Sequence, residues 1–139
     1  MSNPTDYAQP PAPQVDPDSA AYWKGLAEHQ VRLPGCATCG KVRYPPLDSC
    51  PYCGQPGGEE QVLSGVGTVY SFIVLHRTFH PAFEADLPFA IAVVDLEDGP
   101  RIAARIEGPP EAVSIGMRVQ ATYFDRESWT ELRFTPQDN

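Results

Sequence analysis

Two short stretches decide how this chain is read: Cys36-Ala37-Thr38-Cys39-Gly40-Lys41 and Cys50-Pro51-Tyr52-Cys53-Gly54-Gln55, with ten residues between Cys39 and Cys50. A gap of two residues lets both thiolates of a pair point at one ion, and two such pairs complete the four-sulfur tetrahedron that zinc prefers. Gly40 and Gly54 follow the second cysteine of each pair, where a residue without a side chain permits a left-handed turn and brings backbone N–H groups close to sulfur. Iron in the same cage and disulfides or free thiols are the alternatives. All 4 cysteines of the chain fall in these pairs, and the acidic, Pro-rich N-terminus does not read as the signal peptide of a disulfide-bonded secreted protein. Four cysteines close the coordination sphere, so the expected zinc is structural, with no open position for water or substrate. Its binding energy would hold together Val31 to Gln55, a segment with almost no apolar core of its own.

From Val62 onward the composition changes to apolar runs, and five strands are predicted: Gly67 to His76, Pro88 to Leu96, Arg101 to Glu107, Val119 to Asp125 and Thr130 to Thr135. Glu97-Asp98-Gly99-Pro100 is a tight-turn sequence joining the second strand to the third. The third alternates, with Ile102, Ala104 and Ile106 on one face. The first is apolar on both faces, as a coiled strand shared by two sides of a small closed barrel is. Pro109 to Val113 reads as a short helical turn able to plug a barrel end. This order points to an OB-like barrel, with another small barrel or a sandwich left open by periodicity alone.

On the N-terminal side, Asp18 is a candidate N-cap, and Tyr22, Trp23, Leu26 and Ala27 sit three to four apart, as on an amphipathic helix. About three turns cannot stand alone in water, so the helix packs on its own domain or on a partner. Residues 1–18 carry five prolines, three acids and no Lys or Arg, and read as a disordered tail. The expected chain is mainly β: a tail over 1–18, a helix over 19–30, a zinc-binding unit over 31–60 and a barrel over 61–136.

A formal net charge of -8 argues against a polyanion as the default partner. Nucleic-acid binding is the alternative function, with Tyr70 and Phe72 as a stacking platform and Arg32, Lys41 and Arg43 as a local positive excess. His76 and His80 lie four apart, but beside Pro81 they read as ordinary loop histidines. Gly65-Val66-Gly67 lacks the third glycine of a dinucleotide loop and reads as a bend into the barrel. Asp95, Glu97 and Asp98 cluster at a turn, where solvation is the simple reading. No nucleophile has a base beside it, so no catalytic residue is assigned and a binding or scaffolding unit is expected. No apolar stretch approaches the roughly 20 residues that span a bilayer, and a cytoplasmic location is expected.

Taken in order, the motifs are Tyr22-Trp23-x-Gly25-Leu26, Cys36-x-x-Cys39-Gly40, Tyr44-Pro45-Pro46, Cys50-Pro51-x-Cys53-Gly54, Leu63-Ser64-Gly65-x-Gly67-Thr68-Val69-Tyr70-Ser71-Phe72, His76-Arg77 and Ile115-Gly116-Met117-Arg118-Val119. In that combination the chain resembles the DUF35 family, over roughly residues 20 to 136. The resemblance implies a rubredoxin-like zinc ribbon followed by a five-stranded OB-fold. It also implies work beside thiolase-superfamily enzymes: acyl-CoA thiolases, hydroxymethylglutaryl-CoA synthase assemblies, phloroglucinol-forming acyltransferases and retro-aldolases of steroid side chains. The thiolase-fold partner would carry the catalytic residues, in a complex of two copies of each chain acting on a CoA ester. Some members are fused to a hydratase-like domain, so a MaoC-like hydratase would here be a separate protein. The long segment Arg77 to Leu87 becomes a candidate functional loop. His76, Arg77 and His80 are its candidates for meeting an acyl-CoA phosphate or carboxylate, and Tyr22, Trp23, Phe79 and Phe83 are the candidate partner contacts.

Overall fold

The structure, a computed structural model, describes residues 9–137; the first eight residues of the expected tail lie outside them. Helix α1 spans Ala20–Ala27 and is followed by β1, Val31–Gly35. The helix is shorter than expected and Asp18 does not cap it; the Asp16 carboxylate instead accepts from Ser19 N–H at 2.7 Å. Its inward side chains, Tyr22 and Leu26, enter the core beside Val31 and Leu33 of β1.

After the cysteine segment, β2 (Glu59–Leu63) returns antiparallel to β1, pairing Val31 with Leu63 and Gly35 with Glu59. Five strands then close a barrel: β3 Val66–Leu75, β4 Phe89–Leu96, β5 Arg101–Ile106, β6 Arg118–Asp125 and β7 Thr130–Pro136, in the order β3-β4-β5-β7-β6. All five expected strands are present to within a residue at either end. Strand β3 serves two sides of the barrel, as its apolar pattern predicts: it pairs with β4 along its length and with β6 over Val66 to Thr68, bending at a register shift between Val69 and Ser71. Closure is completed by a parallel contact of β5 with β7 at Arg105–Arg133 and Ile106–Phe134.

Alternate residues fill the barrel. Ala92, Val94, Ile102, Ile106, Val119 and Phe134 are buried, and Val113, just after the 3-10 turn Pro110–Ala112, joins them from the end. The acids of the β4–β5 turn are not merely solvated. Asp98 accepts from Ser64 N–H at 2.8 Å, Glu97 pairs with Arg118 at 3.0 Å, and Asp95 pairs with Arg101 at 2.6 Å. The turn thereby fastens the junction between the cysteine unit and the barrel. Among the described residues no helix is long and apolar enough to cross a membrane.

Candidate zinc centre and apolar groove

Each cysteine pair forms the same turn. Gly40 N–H donates to Cys36 O at 2.9 Å and Gly54 N–H to Cys50 O at 2.8 Å, while Cys36 N–H and Cys50 N–H donate to Lys41 O and Gln55 O. Gly40 and Gly54 hold φ of 79° and 82°, angles that a side chain disfavours, and this accounts for glycine at both positions. The turns face each other and bring the four Sγ atoms within 4.8 Å of one another. Cys36 Sγ lies 3.6 Å from Cys53 Sγ, and Cys39 Sγ 3.6 Å from Cys50 Sγ. A disulfide needs about 2.05 Å, whereas sulfurs on a tetrahedron with zinc–sulfur bonds of 2.3 Å stand about 3.8 Å apart. The spacing fits the ion and excludes the crosslink.

The electrostatics agree. Backbone N–H groups of Cys39 and Thr38 pull the Cys36 thiol down to about 6. Although the Gln55 N–H favours its thiolate, burial and the other three sulfurs push the Cys53 thiol up to about 11. Four sulfurs this close cannot all ionise without a cation, and zinc removes that conflict. Cys36 and Cys50 are buried and Cys39 and Cys53 exposed.

Arg43, which the nucleic-acid alternative counts toward a positive excess on the ribbon, is only 2% exposed. Its Nε donates to Leu47 O and its Nη2 to Gly57 O, each at 2.8 Å, tying the segment between the turns back onto the ribbon. Nor do the other features of the nucleic-acid reading assemble. Arg32 is paired with Glu28, Tyr70 lies under the Arg101 guanidinium 3.5 Å from its ring centre, and Phe72 packs against the core.

The candidate loop residues part company. His76 and Arg77 are exposed beyond the end of β3, while Thr78, Phe79, His80 and Phe83 border an apolar groove of about 520 Å³. Leu75, Phe89, Ile91, Ala103 and Arg105 of the barrel line it, with Tyr22, Trp23 and Leu26 of α1, Tyr44 of the ribbon and Trp129. The 3-10 turn Pro81–Asp86 shapes the loop, with His80 Nδ1 accepting from Ala82 N–H at 3.1 Å and the imidazole set edge-on to Phe83. Phe79 stands fully in solvent, at 109% relative exposure. Trp23 meets Trp129 edge-on with ring centres 6.1 Å apart. Tyr22 is turned inward, 5.1 Å from Trp23 and 6.0 Å from Tyr44, so it supports the groove wall and is no surface handle. Burial, with Tyr44 beside it, holds the Tyr22 phenol above the ordinary tyrosine range. The sequence reading missed Tyr44, Phe89, Ala103 and Trp129. Trp129, in the short connection 126–129, carried a usable signal: a large aromatic in a tight turn rarely stands there without a surface to meet.

A ribbon of two cysteine turns joined to an OB barrel, with a helix laid along the barrel's flank, defines the class: zinc-ribbon OB proteins. Residues 23–57 match the family "ChsH2, rubredoxin-like zinc ribbon domain" and residues 60–124 match "ChsH2, C-terminal OB-fold domain". A DUF35 domain-containing scaffold protein of Methanocaldococcus jannaschii is 40% identical over 104 residues, 73% of each chain. The chain belongs to the DUF35 family. The 3-oxo-4,17-pregnadiene-20-carboxyl-CoA hydratase alpha subunit of Mycobacterium tuberculosis is 35% identical over 127 residues, 91% of this chain and 40% of that protein. Benzoylsuccinyl-CoA thiolase subunit BbsA of Thauera aromatica is 31% identical over 87 residues, 63% of this chain and 58% of that protein. This chain thus spans well under half the length of the hydratase subunit it matches. Among solved structures, a chain of the Ltp2-ChsH2(DUF35) aldolase superposes with a TM-score of 0.81 at 32% identity, covering 90% of this chain and 98% of that one.

Proposed function

We propose that this chain is an accessory, non-catalytic subunit of a thiolase-superfamily enzyme that makes or breaks carbon–carbon bonds in acyl-CoA substrates. The observation that carries the reading is the likeness, along nearly the whole of both chains, to a component of an aldolase. Relatives named as subunits of a CoA-ester hydratase and of a CoA-ester thiolase support the substrate class. Retro-aldol cleavage of a degraded side chain and thiolytic cleavage both fit, because the reacting groups belong to the partner.

In this reading the zinc is structural and Cys36, Cys39, Cys50 and Cys53 are its ligands. The chain divides into a tail, the helix, the ribbon and the barrel, and works in the cytoplasm in a complex of two copies with two thiolase-fold subunits. The loop 77–87 borders the partner's active-site entrance. Phe79, Phe83 and Trp23, backed by Tyr22, contact the partner, and His76, Arg77 and His80 meet the phosphates or carboxylate of the CoA ester. The test is acyl-CoA turnover by the thiolase-fold partner with and without this chain. The reading expects the partner to be unstable or slow alone, and expects Arg77→Ala with His80→Ala to weaken turnover by the complex. A partner equally stable and active alone would contradict it, and unchanged kinetics in the double variant would remove the loop from the mechanism.

A further inference from the structure

The four sulfurs of the cage are not equivalent. The first cysteine of each turn is buried, Cys36 at 4% and Cys50 at 2% relative exposure, and the second, Cys39 or Cys53, is exposed. Because the turns face each other, the exposed sulfur of one stands against the buried sulfur of the other. Cys53 Sγ lies 3.6 Å from Cys36 Sγ, and Cys39 Sγ 3.6 Å from Cys50 Sγ. Closing either gap to a disulfide bond of about 2.05 Å asks each sulfur to move by about 0.8 Å.

Zinc holds its cysteines as thiolates, and the thiolate is the form of cysteine that attacks an electrophile. An oxidant arriving from solvent meets Cys39 and Cys53, while Cys36 and Cys50 are shielded from it and stand where they can resolve the product. An accessible thiolate poised beside a resolving cysteine is the arrangement of redox-sensing thiols. All 4 cysteines of the chain belong to the cage, so no other thiol competes. The ribbon also has little to fall back on when the cage opens, since Arg43 is the only other buried residue between 36 and 58.

We propose that the cage is a modification site for hydroperoxides, at which Cys53 and Cys39 are oxidised, Cys36 and Cys50 resolve them, and zinc is released. With hydrogen peroxide, the Cys53 thiolate attacks one oxygen, the O–O bond breaks, the sulfur becomes a sulfenic acid and hydroxide leaves. The Cys36 thiolate then attacks that sulfur, the S–O bond breaks, a second hydroxide leaves and the Cys36–Cys53 disulfide forms. Solvent protonates both hydroxides. Cys39 and Cys50 repeat the sequence with a second peroxide. The chain thereby reduces two peroxides, gives up all four ligand thiolates and the zinc with them, and gains two crosslinks between its turns. The proposal does not rest on the acyl-CoA reading; it gives the one metal-dependent unit of the chain a chemical input.

The full zinc-loaded chain is titrated with hydrogen peroxide while pyridylazoresorcinol reports free zinc against an untreated control. Loss of one zinc per chain is expected, complete at two equivalents of peroxide and reversed by dithiothreitol with added zinc. In a parallel sample dimedone, which traps sulfenic acids, should label Cys39 and Cys53. Cleavage after Lys41 and Arg43 separates the turns, so cross-turn disulfides leave two peptides linked, whereas Cys36–Cys39 and Cys50–Cys53 bridges leave them apart. Zinc retained in excess peroxide overturns the proposal. So do bridges within a turn, dimedone on Cys36 or Cys50, or Cys39 and Cys53 carried past the sulfenic stage without a crosslink.

Discussion

The ribbon and the barrel occupy one chain but are held together by different physics. Between residues 36 and 58 the only buried residues are Cys36, Cys50 and Arg43. The barrel, by contrast, closes over Val69, Ala92, Val94, Ile102, Ile106, Val119, Leu132 and Phe134, all buried. Apolar burial, at about 25 cal/mol per Å², stabilises the second unit and is almost absent from the first. The ribbon depends on a metal and on one arginine that satisfies backbone carbonyls. Helix α1, β1 and Leu63 of β2 belong energetically with the barrel, since Tyr22, Leu26, Val31, Leu33 and Leu63 share its core. The energetic boundary therefore falls at Cys36, not where the first strand begins.

The sharpest way to separate the units is to remove the metal. Structural zinc contributes on the order of 10 kcal/mol to such sites, so chelation or Cys50→Ser should abolish amide protection over residues 36–58 in hydrogen exchange. The barrel and α1 should stay protected. Uniform loss of protection would show that the two units unfold as one.

The converse experiment strikes the barrel. Phe134 is fully buried, and Phe134→Ala should cost about 3–5 kcal/mol, lowering the melting temperature while isolated chain still binds one zinc. Arg43→Met is a smaller test within the ribbon. It leaves Leu47 O and Gly57 O without their donor and should cost about 2 kcal/mol. It should speed zinc release to a chelator and leave the barrel transition in place; an unchanged release rate would remove Arg43 from the account.

The smallest effect concerns the strap between His29, two residues past the end of α1, and β6. His29 Nε2 lies 3.0 Å from Asp125, and His29 together with the Thr130 hydroxyl lowers the Asp125 pKa. A carboxyl with a depressed folded-state pKa stabilises fully above its unfolded value, near 3.9, and loses that contribution as pH falls through the folded value. Thermal melts between pH 2 and pH 6, a range set by that value, should thus fall less steeply toward acid in Asp125→Asn than in wild type. Parallel curves would show the pair to be without consequence.

How much of this could be read beforehand follows the same division. The cysteine site is local: spacing and two glycines specify it, and the turns formed as the spacing dictates. The strands are legible because alternation marks them, as at Ile102, Ala104 and Ile106. The groove was not, because Tyr22, Tyr44, Phe83, Phe89, Ala103 and Trp129 meet only through barrel closure and the packing of α1, and no periodicity links them. Arg43 was misjudged for a related reason. A charge in a Pro- and Gly-rich segment reads as surface, and only the fold reveals the carbonyls that make burying it favourable. Asp18 likewise looks like a helix cap until Asp16 is seen to take the Ser19 N–H.

The central claim is that the ribbon and barrel together form an accessory subunit, and native mass spectrometry of the tagged chain purified gently from its own host, with peptide sequencing of whatever accompanies it, tests that directly. The account predicts one zinc per chain and a complex with a protein of thiolase sequence. A zinc-loaded chain that travels alone would contradict it.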